Sequence, residues 1–211
     1  MELRPNDPVR TARLRLRPLS AGDCQSLLAY RSLADVCRFV PFAPMTAEVV
    51  AGKLAGGWGR TAISAAGEAL TLGAEVAGTG VLVGDVDLAS GSAEHRGGEI
   101  GWVFNPEHSG QGYATEASHA ILHLAFDQLG LHRVVARVDA RNRASLRLAA
   151  RLGMRQEACL IANEWFKGEW CDEIDLALLE EEWEDQHAGG PGSCPWPLAT
   201  RSGPHPRDPV P

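Results

Sequence analysis

A segment with two glycines, placed between an apolar run and an amphipathic run, constrains the fold of this chain more than any other feature. The segment covers residues 105–117 and reads Asn-Pro-Glu-His-Ser-Gly-Gln-Gly-Tyr-Ala-Thr-Glu-Ala. Residues 99–104 before it favour a strand, and apolar residues recur at helical spacing over 117–129 after it. The sequence therefore predicts a strand, a glycine-containing turn and a helix, in that order.

The predicted turn has the features of an anion-binding site. Gly110, Gly112 and Ala114 leave little side chain above the turn, so a ligand can approach the backbone closely. The first N–H groups of a helix have no partner within the helix, and its dipole places partial positive charge there. This combination favours a phosphate ligand, although a tight turn without any ligand stays an alternative. No lysine follows the glycines, which excludes a P-loop, and Thr115 stands where a dinucleotide-binding turn requires glycine or alanine.

The turn resembles the acetyl-CoA pyrophosphate loop of the GNAT superfamily, Gln/Arg-x-x-Gly-x-Gly/Ala. Gly112 and Ala114 match the pattern, and Ser109 departs from it at the Gln/Arg position. Residues 110–117 resemble, more narrowly, the RimJ/RimL-type branch of that superfamily. The resemblance implies that acetyl-CoA binds at the loop and at the strand before it, through Val103, Phe104, Ser109, Gly110, Gln111, Gly112, Tyr113, Ala114 and Thr115.

Two more segments carry the resemblance, and they follow in the family's order. Residues 142–154 resemble the GNAT signature Asn-x-x-Ser-x-x-x-x-x-x-x-Gly-Phe/Met, with Asn142 and Ser145 at the polar positions. Residues 168–183 resemble the end of RimJ/RimL-type proteins, in which Gly-x-x-x-Asp leads into the last strand and a Leu-x-x-Glu-Trp finish. With a first strand that also resembles that branch, the likeness extends from Thr11 to Trp183.

The resemblance implies the GNAT acyl-CoA N-acyltransferase fold, of the α+β (mixed α/β) class. A central, mostly antiparallel twisted sheet of about seven strands would be flanked by about four helices. Periodicity and turn residues place strands near 11–19, 70–76, 81–88, 97–104, 132–139, 154–161 and 171–179, with helices at 23–33, 46–56, 117–129 and 142–153. The arginines that alternate with Leu14 and Leu16 are interpreted as a solvated face, and Asp23 as a helix cap.

Composition divides the chain into two parts. We expect one domain over residues 1–185 and a disordered tail over 186–211, in which seven of the residues are proline and four are glycine. The net charge of -7 argues against nucleic-acid binding, and no apolar run suggests a membrane span. The odd count of five cysteines, without a Cys-x-x-Cys pair, favours a reduced, cytoplasmic protein. We predict no metal.

Through the resemblance, the expected reaction is direct transfer of acetyl from acetyl-CoA to a primary amine in a ternary complex. The amine belongs to a protein N-terminus or to a small molecule. An alkylammonium has a pKa near 10.4 and must lose a proton before it attacks. Glu99 is our candidate base, with a solvent-facing strand glutamate as the alternative. Glu116 is a weaker candidate, because the helix dipole alone explains a glutamate in a first turn.

Ser145 is the candidate partner of the departing thiolate, and the alternative is a plain hydroxyl in a helix that Asn142 caps. Asn142 can cap that helix and also hydrogen-bond CoA. A backbone N–H near Val103 or Phe104 would stabilise the oxyanion. Phe39, Phe42 and Trp58 line the acceptor site or serve as ordinary core aromatics.

Two other functions fit the same resemblance. One is a GNAT enzyme that transfers a different acyl group, and the other is a CoA-binding or degenerate module without catalysis. The expected partner is an amine acceptor, with neither nucleic acid nor membrane. The oligomeric state is left open, with a homodimer among the alternatives.

Overall fold

The computed structural model describes residues 2–4 and 8–188, so that residues 189–211 of the predicted tail lie outside the described part of the chain. An eight-stranded sheet forms the centre, in the order β1-β2-β3-β4-β5-β6-β8-β7. The strands are β1 (Val9–Arg10), β2 (Leu14–Pro18), β3 (Ala69–Val76), β4 (Leu82–Ser90), β5 (Gly97–Phe104), β6 (Arg133–Asp139), β7 (Arg155–Phe166) and β8 (Glu169–Leu179).

Six α-helices surround the sheet within the described residues. They are α1 (Cys24–Arg31), α2 (Ala34–Cys37), α3 (Ala47–Ala55), α4 (Tyr113–His123), α5 (Arg143–Arg151) and α6 (Glu180–His187). One wider π-helical turn, Leu124–Gln128, continues α4 until Gly130 takes a left-handed conformation and the helix ends. No helix in the described part of the chain is long and apolar enough to cross a membrane.

The two faces of the sheet bury different kinds of side chain. On one face, leucines and other apolar residues of β2 to β6 pack against α4 and α5, and Trp183 of α6 joins the same core. On the opposite face, a smaller core forms under α1 and α3, around Leu27, Tyr30, Val50 and Leu54. Charged side chains accompany this second core, because alternate residues of each strand point to the same face.

Every neighbouring pair of strands is antiparallel except β5 and β6. These two run parallel, and they pair only from Gly97 to Glu99 on β5 with Arg133 to Val135 on β6. Beyond this short ladder the strands separate, since the rest of β5 pairs with β4 alone and the rest of β6 with β8 alone. The sheet therefore has a gap at its centre, at the end of β5 that leads into the glycine loop.

The predicted mixed fold is confirmed, with one strand more than expected. The structure differs most at the hairpin of β7 and β8, where residues 163–170 were interpreted as a connection. Both strands continue through this region to a two-residue turn at Lys167 and Gly168, which have φ angles of 55° and 83°. Two consecutive positive φ values match the twist of a tight hairpin, and a lysine at the first position hides that signal in the sequence.

The interpretation of the β2 arginines as a solvated face was wrong. Arg15 forms an ion pair with Glu75 on β3, and Arg17 bonds both Glu75 and Asp23. Asp23 precedes α1 as predicted, but its side chain does not cap that helix. Its carboxylate instead accepts two hydrogen bonds from Arg17, at 2.7 and 2.9 Å. Periodicity reveals neither the acidic partner Glu75 on β3 nor the ion pair between Arg17 and Asp23.

Candidate active site

The gap between β5 and β6 leaves backbone groups of β5 without a strand partner. Asn105 N–H donates to Val83 O on the β4 side, at 2.9 Å, and Gly97 O accepts from Gly91 N–H at 2.8 Å. Odd-numbered residues of β5 therefore direct their backbone groups toward β4, and even-numbered residues direct theirs toward β6. Of the two predicted oxyanion donors, Phe104 has its N–H on the open side, whereas the N–H of Val103 faces β4.

The glycine loop leads directly into α4. Gly110 and Gly112 have φ angles of 75° and 80°, in the left-handed region that favours glycine, and Gly112 is the residue before the first helical turn. A Cβ at Gly110 would meet no atom within 4 Å, so space is open above this point of the loop. The loop is thus shaped to expose its backbone and the N-terminus of α4.

Glu116 anchors the loop and does not serve as a free base. Its side chain is buried, and its carboxylate accepts hydrogen bonds from Thr11 Oγ1 and from the backbone N–H and the side chain of Arg13. Arg13 Nη1 also donates to Gln111 O, at 2.8 Å. Arg13 therefore connects the start of β2 to the loop and to the first turn of α4.

A cavity of about 710 Å³ lies beside the loop, and we call it the loop cavity. Its wall includes most of the residues that the sequence assigned to CoA, namely Val103, Phe104, Ser109, Gly110, Gly112, Tyr113, Ala114, Thr115 and Asn142. Gln111 is not part of the lining. His108 and Arg151 add basic groups, and Arg151 Nε donates to Thr115 Oγ1 at 3.3 Å. Basic side chains beside free helix N–H groups suit a phosphate-bearing ligand.

A second cavity, of about 750 Å³, lies on the charged face of the sheet, and we call it the aromatic cavity. Phe39, Phe42 and Trp58 form one wall, and Asp87 and Glu99 belong to the sheet beneath them. The two cavities share six lining residues: Phe39, Val40, Trp102, Val103, Asn142 and Ser145. They therefore meet at the gap between β5 and β6.

Ser145 lies at this junction in a fixed orientation. Asn142 caps α5 by accepting from Ser145 N–H, at 3.1 Å, as the sequence predicts. Trp102 Nε1 donates to Ser145 Oγ, also at 3.1 Å. An indole N–H is only a donor, so Ser145 accepts this bond and its own hydroxyl proton remains available for another acceptor.

One carboxylate on this face accepts hydrogen bonds at both of its oxygens. Asp85 is buried and accepts from Tyr30 Oη and from Arg31, whose Nε lies 3.1 Å from Oδ2 and whose Nη2 contacts Oδ1. Burial and the negative charge of Asp85 raise the pKa of Tyr30 well above its usual value. Arg31 also lies over the rings of Trp58 and Phe42, at 4.3 and 5.2 Å from the ring centres. This network holds the aromatic wall in place.

Glu99 and Asp87, two of the carboxylates that line the aromatic cavity, have different surroundings. Glu99, the predicted base, has 42% of its side chain exposed and forms an ion pair with Arg137 Nη1 on β6. Asp87 forms no hydrogen bond or ion pair with any described residue, although its side chain is partly buried. Burial raises the pKa of Asp87 to about 6, and the negative charges of Asp85 and Glu99 add to this rise.

Comparison with known proteins identifies the family. The sequence pattern described as "Acetyltransferase (GNAT) domain" matches residues 13–155. The chain belongs to the GNAT acetyltransferase family. It is therefore an acetyltransferase, and GNAT acetyltransferases use acetyl-CoA, which agrees with the open glycine loop and the basic lining of the loop cavity.

Individual GNAT proteins resemble the chain over most of its length. An uncharacterised N-acetyltransferase of Bacillus subtilis, YnaD, is 32% identical over 83% of this chain and 98% of its own. A crystal structure of a GNAT-family acetyltransferase from Bacillus anthracis has a TM-score of 0.75 and 31% identity, and the match covers 83% of this chain and 99% of that one. The spermidine N(1)-acetyltransferase of Escherichia coli is 25% identical over 51% of this chain and 58% of its own.

Sequence analysis singled out neither Asp87 nor Trp102, although both line the cavities described above. Asp87 looked like any polar residue of an alternating strand, and only the register opposite Gly101 places it on the cavity floor. Trp102 looked like a core aromatic, and its bond to Ser145 joins residues 43 positions apart. Phe39, Phe42 and Trp58, in contrast, line the aromatic cavity as one of the two interpretations proposed.

His119 and His123 lie on α4 with the i, i+4 spacing that metal ligands often use on a helix. His123 Nδ1 lies 2.6 Å from Asp127, while His119 contacts His187 and Trp183 at the C-terminal helix. Among residues 2–4 and 8–188, no group of three or more histidine, cysteine or acidic side chains is arranged to hold a metal ion.

Proposed function

We propose that this protein moves an acetyl group from acetyl-CoA to a primary amine that enters through the aromatic cavity. The observation that carries the proposal is the junction of the two cavities at the gap between β5 and β6. A thioester that extends from the loop cavity would reach this junction, and an amine in the aromatic cavity would approach it from the charged face of the sheet. The two substrates can then react directly in a ternary complex, as the sequence suggests.

The loop residues are the proposed site for the phosphates of CoA. The backbone N–H groups at Tyr113, Ala114 and Thr115, in the first turn of α4, are expected to bind the pyrophosphate, with Arg151 beside them. Ser109 has a shorter side chain with fewer hydrogen-bond donors for the phosphates than the Gln or Arg of the usual pattern. Arg13, which bonds Gln111 O and Glu116, keeps the loop in its shape without entering the cavity wall.

Backbone groups of β5 are the proposed oxyanion site. The N–H of Phe104 lies on the open side of the strand, where β6 has separated, and it is the donor that we favour over Val103. An N–H that is fixed by a sheet needs no reorganisation when negative charge develops on the thioester oxygen. Val103 is then a lining residue of both cavities.

Ser145 is the proposed donor to the sulfur of the departing CoA. Because Trp102 Nε1 already donates to Ser145 Oγ, the hydroxyl proton is left for the sulfur. Glu99, the base that the sequence predicts, lines the aromatic cavity, and Arg137 holds its carboxylate. Asn142 orients the first turn of α5, on which Ser145 stands.

A cationic acceptor fits the proposal best. Asp87 and Glu99 lie on the cavity floor, and the aromatic wall above them can contact an ammonium or its alkyl chain. The spermidine acetyltransferase relative supports a polyamine as one acceptor. The RimJ/RimL-like motifs support a protein N-terminal amine as another. A homodimer and a cytoplasmic location stay predictions that rest on the sequence alone.

Calorimetric titration of acetyl-CoA, followed by a thiol-release assay with amines, tests the proposal. The panel should contain spermidine, short basic peptides with free N-termini, and the same peptides with blocked N-termini as matched controls. We expect binding of acetyl-CoA and thiol release that depends on a free amine. Binding of acetyl-CoA without thiol release in the presence of any amine would favour a CoA-binding module. Faster thiol release from another acyl-CoA would mean that the enzyme transfers a different acyl group at the same site.

Variants at the cavity junction test the assignment of Ser145. We expect Ser145→Ala to lower kcat by about 10- to 100-fold, since it removes the proton donor to the sulfur. Trp102→Phe keeps an aromatic side chain but loses the hydrogen bond to Ser145 Oγ, so a loss in kcat of about threefold to tenfold is expected. Titration of CoA with each variant separates binding from turnover. An unchanged kcat in Ser145→Ala would remove Ser145 from the mechanism.

A further inference from the structure

The floor of the aromatic cavity contains a carboxylate to which the sequence assigned no role. Asp87 lies on β4, opposite Gly101 of β5, and points to the same face of the sheet as Glu99 and Val103. It is part of the cavity lining. No described residue donates to its oxygens, in contrast to Asp85 on the same strand and Glu75 on β3.

Gly101 is what gives the Asp87 carboxylate its place. A Cβ built on Gly101 would lie 2.6 Å from Asp87 Oδ1 and 3.0 Å from Oδ2, closer than unbonded atoms approach. The carboxylate therefore lies over the bare backbone of β5, where any larger residue at 101 would displace it. The absence of a side chain at Gly101 thus leaves the space that the Asp87 carboxylate occupies.

Register places Asp87 nearer to the proposed reaction centre than Glu99. Its partner Gly101 precedes Val103 by two residues, whereas Glu99 precedes Val103 by four, and β-strand residues rise about 3.3 Å each. Val103 lines both cavities, so it marks the junction. A carboxylate over Gly101 can therefore reach an amine at the junction more directly than one at position 99.

Glu99, in contrast, has a charged partner on the neighbouring strand. Arg137 Nη1 contacts Glu99 Oε2, and Arg137 lies on the far side of the gap, on β6. Asp87 carries no such partner, and the charges around it are Asp85 and Arg31 toward the core and Glu99 along the sheet.

We propose that Asp87 removes the proton from the acceptor ammonium and that Glu99, held by Arg137, forms the outer wall of the ammonium site. This inference rests on the proposed amine acetylation. One proton of the ammonium passes to the Asp87 carboxylate, and the neutral amine then attacks the thioester carbonyl carbon. The C–N bond forms, the C–S bond breaks, and a second proton of the amine ends on the CoA sulfur. Asp87 later releases its proton to water.

The surroundings of Asp87 suit this task. A base works best when its pKa lies near the working pH, because it must be ionised and still hold a proton well. Burial raises the pKa of Asp87 to about 6, so that the carboxylate is mostly ionised at pH 7 and above. The acid limb of the reaction should therefore have its midpoint near this pH.

Three variants, assayed with acetyl-CoA and the best amine of the panel over pH 5.5–9.5, test the inference. Asp87→Asn removes the carboxylate and keeps its shape, Glu99→Gln makes the matched change at the other carboxylate, and Glu184→Gln removes one charge from the exposed surface of α6. We expect Asp87→Asn to lower kcat/KM by about 100-fold at pH 7. The loss should shrink toward pH 9.5, where more of the amine is already neutral in solution.

The results for the other variants and for the wild type either support or overturn the assignment of Asp87 as the base. We expect the acid limb near pH 6 to persist in Glu99→Gln, with a loss below about tenfold, and in Glu184→Gln, with no loss. A wild-type pH profile in Asp87→Asn, beside a 100-fold loss in Glu99→Gln, would overturn the inference and return the base to Glu99. Wild-type protein that binds acetyl-CoA but acetylates no amine would overturn the proposed function itself.

A second measurement does not depend on turnover. Carbon NMR of labelled aspartate, with Asp87 assigned through its loss in Asp87→Asn, follows the titration of this carboxyl group in the free protein. We expect a midpoint about two pH units above that of an ordinary aspartate. A midpoint near pH 4, in protein that still binds CoA, would contradict the partly buried and unpartnered state of Asp87 on which the inference depends.

Discussion

Asp85 and Asp87 are two residues apart on β4, on the same face of the sheet, and their surroundings differ completely. Asp85 faces α1, where Tyr30 and Arg31 occupy its oxygens. Asp87 faces the aromatic cavity, where the bare backbone of Gly101 lies beneath it. A strand thus provides two carboxylates of the same chemistry, one of which stabilises the fold while the other remains available to a ligand.

The difference shows how this domain separates stability from function. A buried carboxylate without partners costs free energy, and a protein usually neutralises it or supplies donors. Along β2, β3 and β4 the donors are present, since Arg15 and Arg17 hold Glu75 and Arg31 holds Asp85. At Asp87 they are absent among the described residues, at the point where an ammonium ion would complete the site.

The largest expected effect comes from replacing Asp85, whose carboxylate is bound by Tyr30 and Arg31. Asp85→Asn leaves Arg31 buried without its counter-charge, and loss of one partner of a buried pair costs roughly 3–5 kcal/mol. We expect the free energy of unfolding to fall by that amount in urea titrations at pH 7. Arg31 also packs on Trp58 and Phe42, so the aromatic wall should loosen as well. A loss below about 1 kcal/mol would contradict the structural role given to Asp85.

The same substitution at Asp87 should have the opposite effect and raise the free energy of unfolding. Folding raises the pKa of Asp87 from 3.8 to about 6, so the folded state favours the protonated form. This carboxyl group therefore contributes its full stability below pH 3.8 and loses it as the pH rises through 6. Asn cannot ionise, and after allowance for water in the cavity we expect Asp87→Asn to stabilise the protein by roughly 1–2 kcal/mol at pH 8.

Unfolding measurements at pH 4 and pH 8 provide the control for this second prediction. The gain from Asp87→Asn should appear at pH 8 and vanish near pH 4, where Asp87 is protonated in the folded protein. Glu184→Gln, on the exposed surface of α6, should give no such difference between the two pH values. A destabilised Asp87→Asn at pH 8 would mean that Asp87 has a partner and resembles Asp85 after all.

The sequence predicted the part of this contrast that depends on local pattern. The glycine loop and the cap at Asn142 lie where the motifs placed them, and the aromatic residues 39, 42 and 58 line a cavity, as one of the two interpretations expected. Alternation along β4 also put Asp85 and Asp87 on one face. It could not tell them apart, because Arg31 and Gly101 come from elements 54 and 14 residues away.

Long-range register explains the other differences as well. The three arginines near β2 looked solvated, since their acidic partners Glu75, Asp23 and Glu116 lie on other elements. The sequence left Val103 and Phe104 as alternative oxyanion donors. We favour Phe104 only because the hydrogen bonds of Asn105 and Gly97 show which side of β5 each residue faces. Motifs identify the residues of a site, whereas pairing between strands decides which of them are free to act.

The smallest expected effect, at Gly101, tests the contrast most closely. Gly101→Ala places a methyl group 2.6 Å from Asp87 Oδ1 and should push the carboxylate into the cavity. Gly97→Ala is the matched control, because it lies on the same strand and face and its Cβ would meet no atom within 4 Å. A glycine replaced by alanine without strain gains about 0.4–1 kcal/mol, which we expect at Gly97 and not at Gly101.

The activities of these two variants then test whether the position of the Asp87 carboxylate matters as well as its charge. We expect Gly101→Ala to lower kcat/KM for the amine by about tenfold and to move the acid limb below pH 6, since a carboxylate pushed into water regains an ordinary pKa. Gly97→Ala should stay within about twofold of the wild type. Equal activities in the two variants would show that Asp87 works from more than one position, and the close fit over Gly101 would then be only a packing feature.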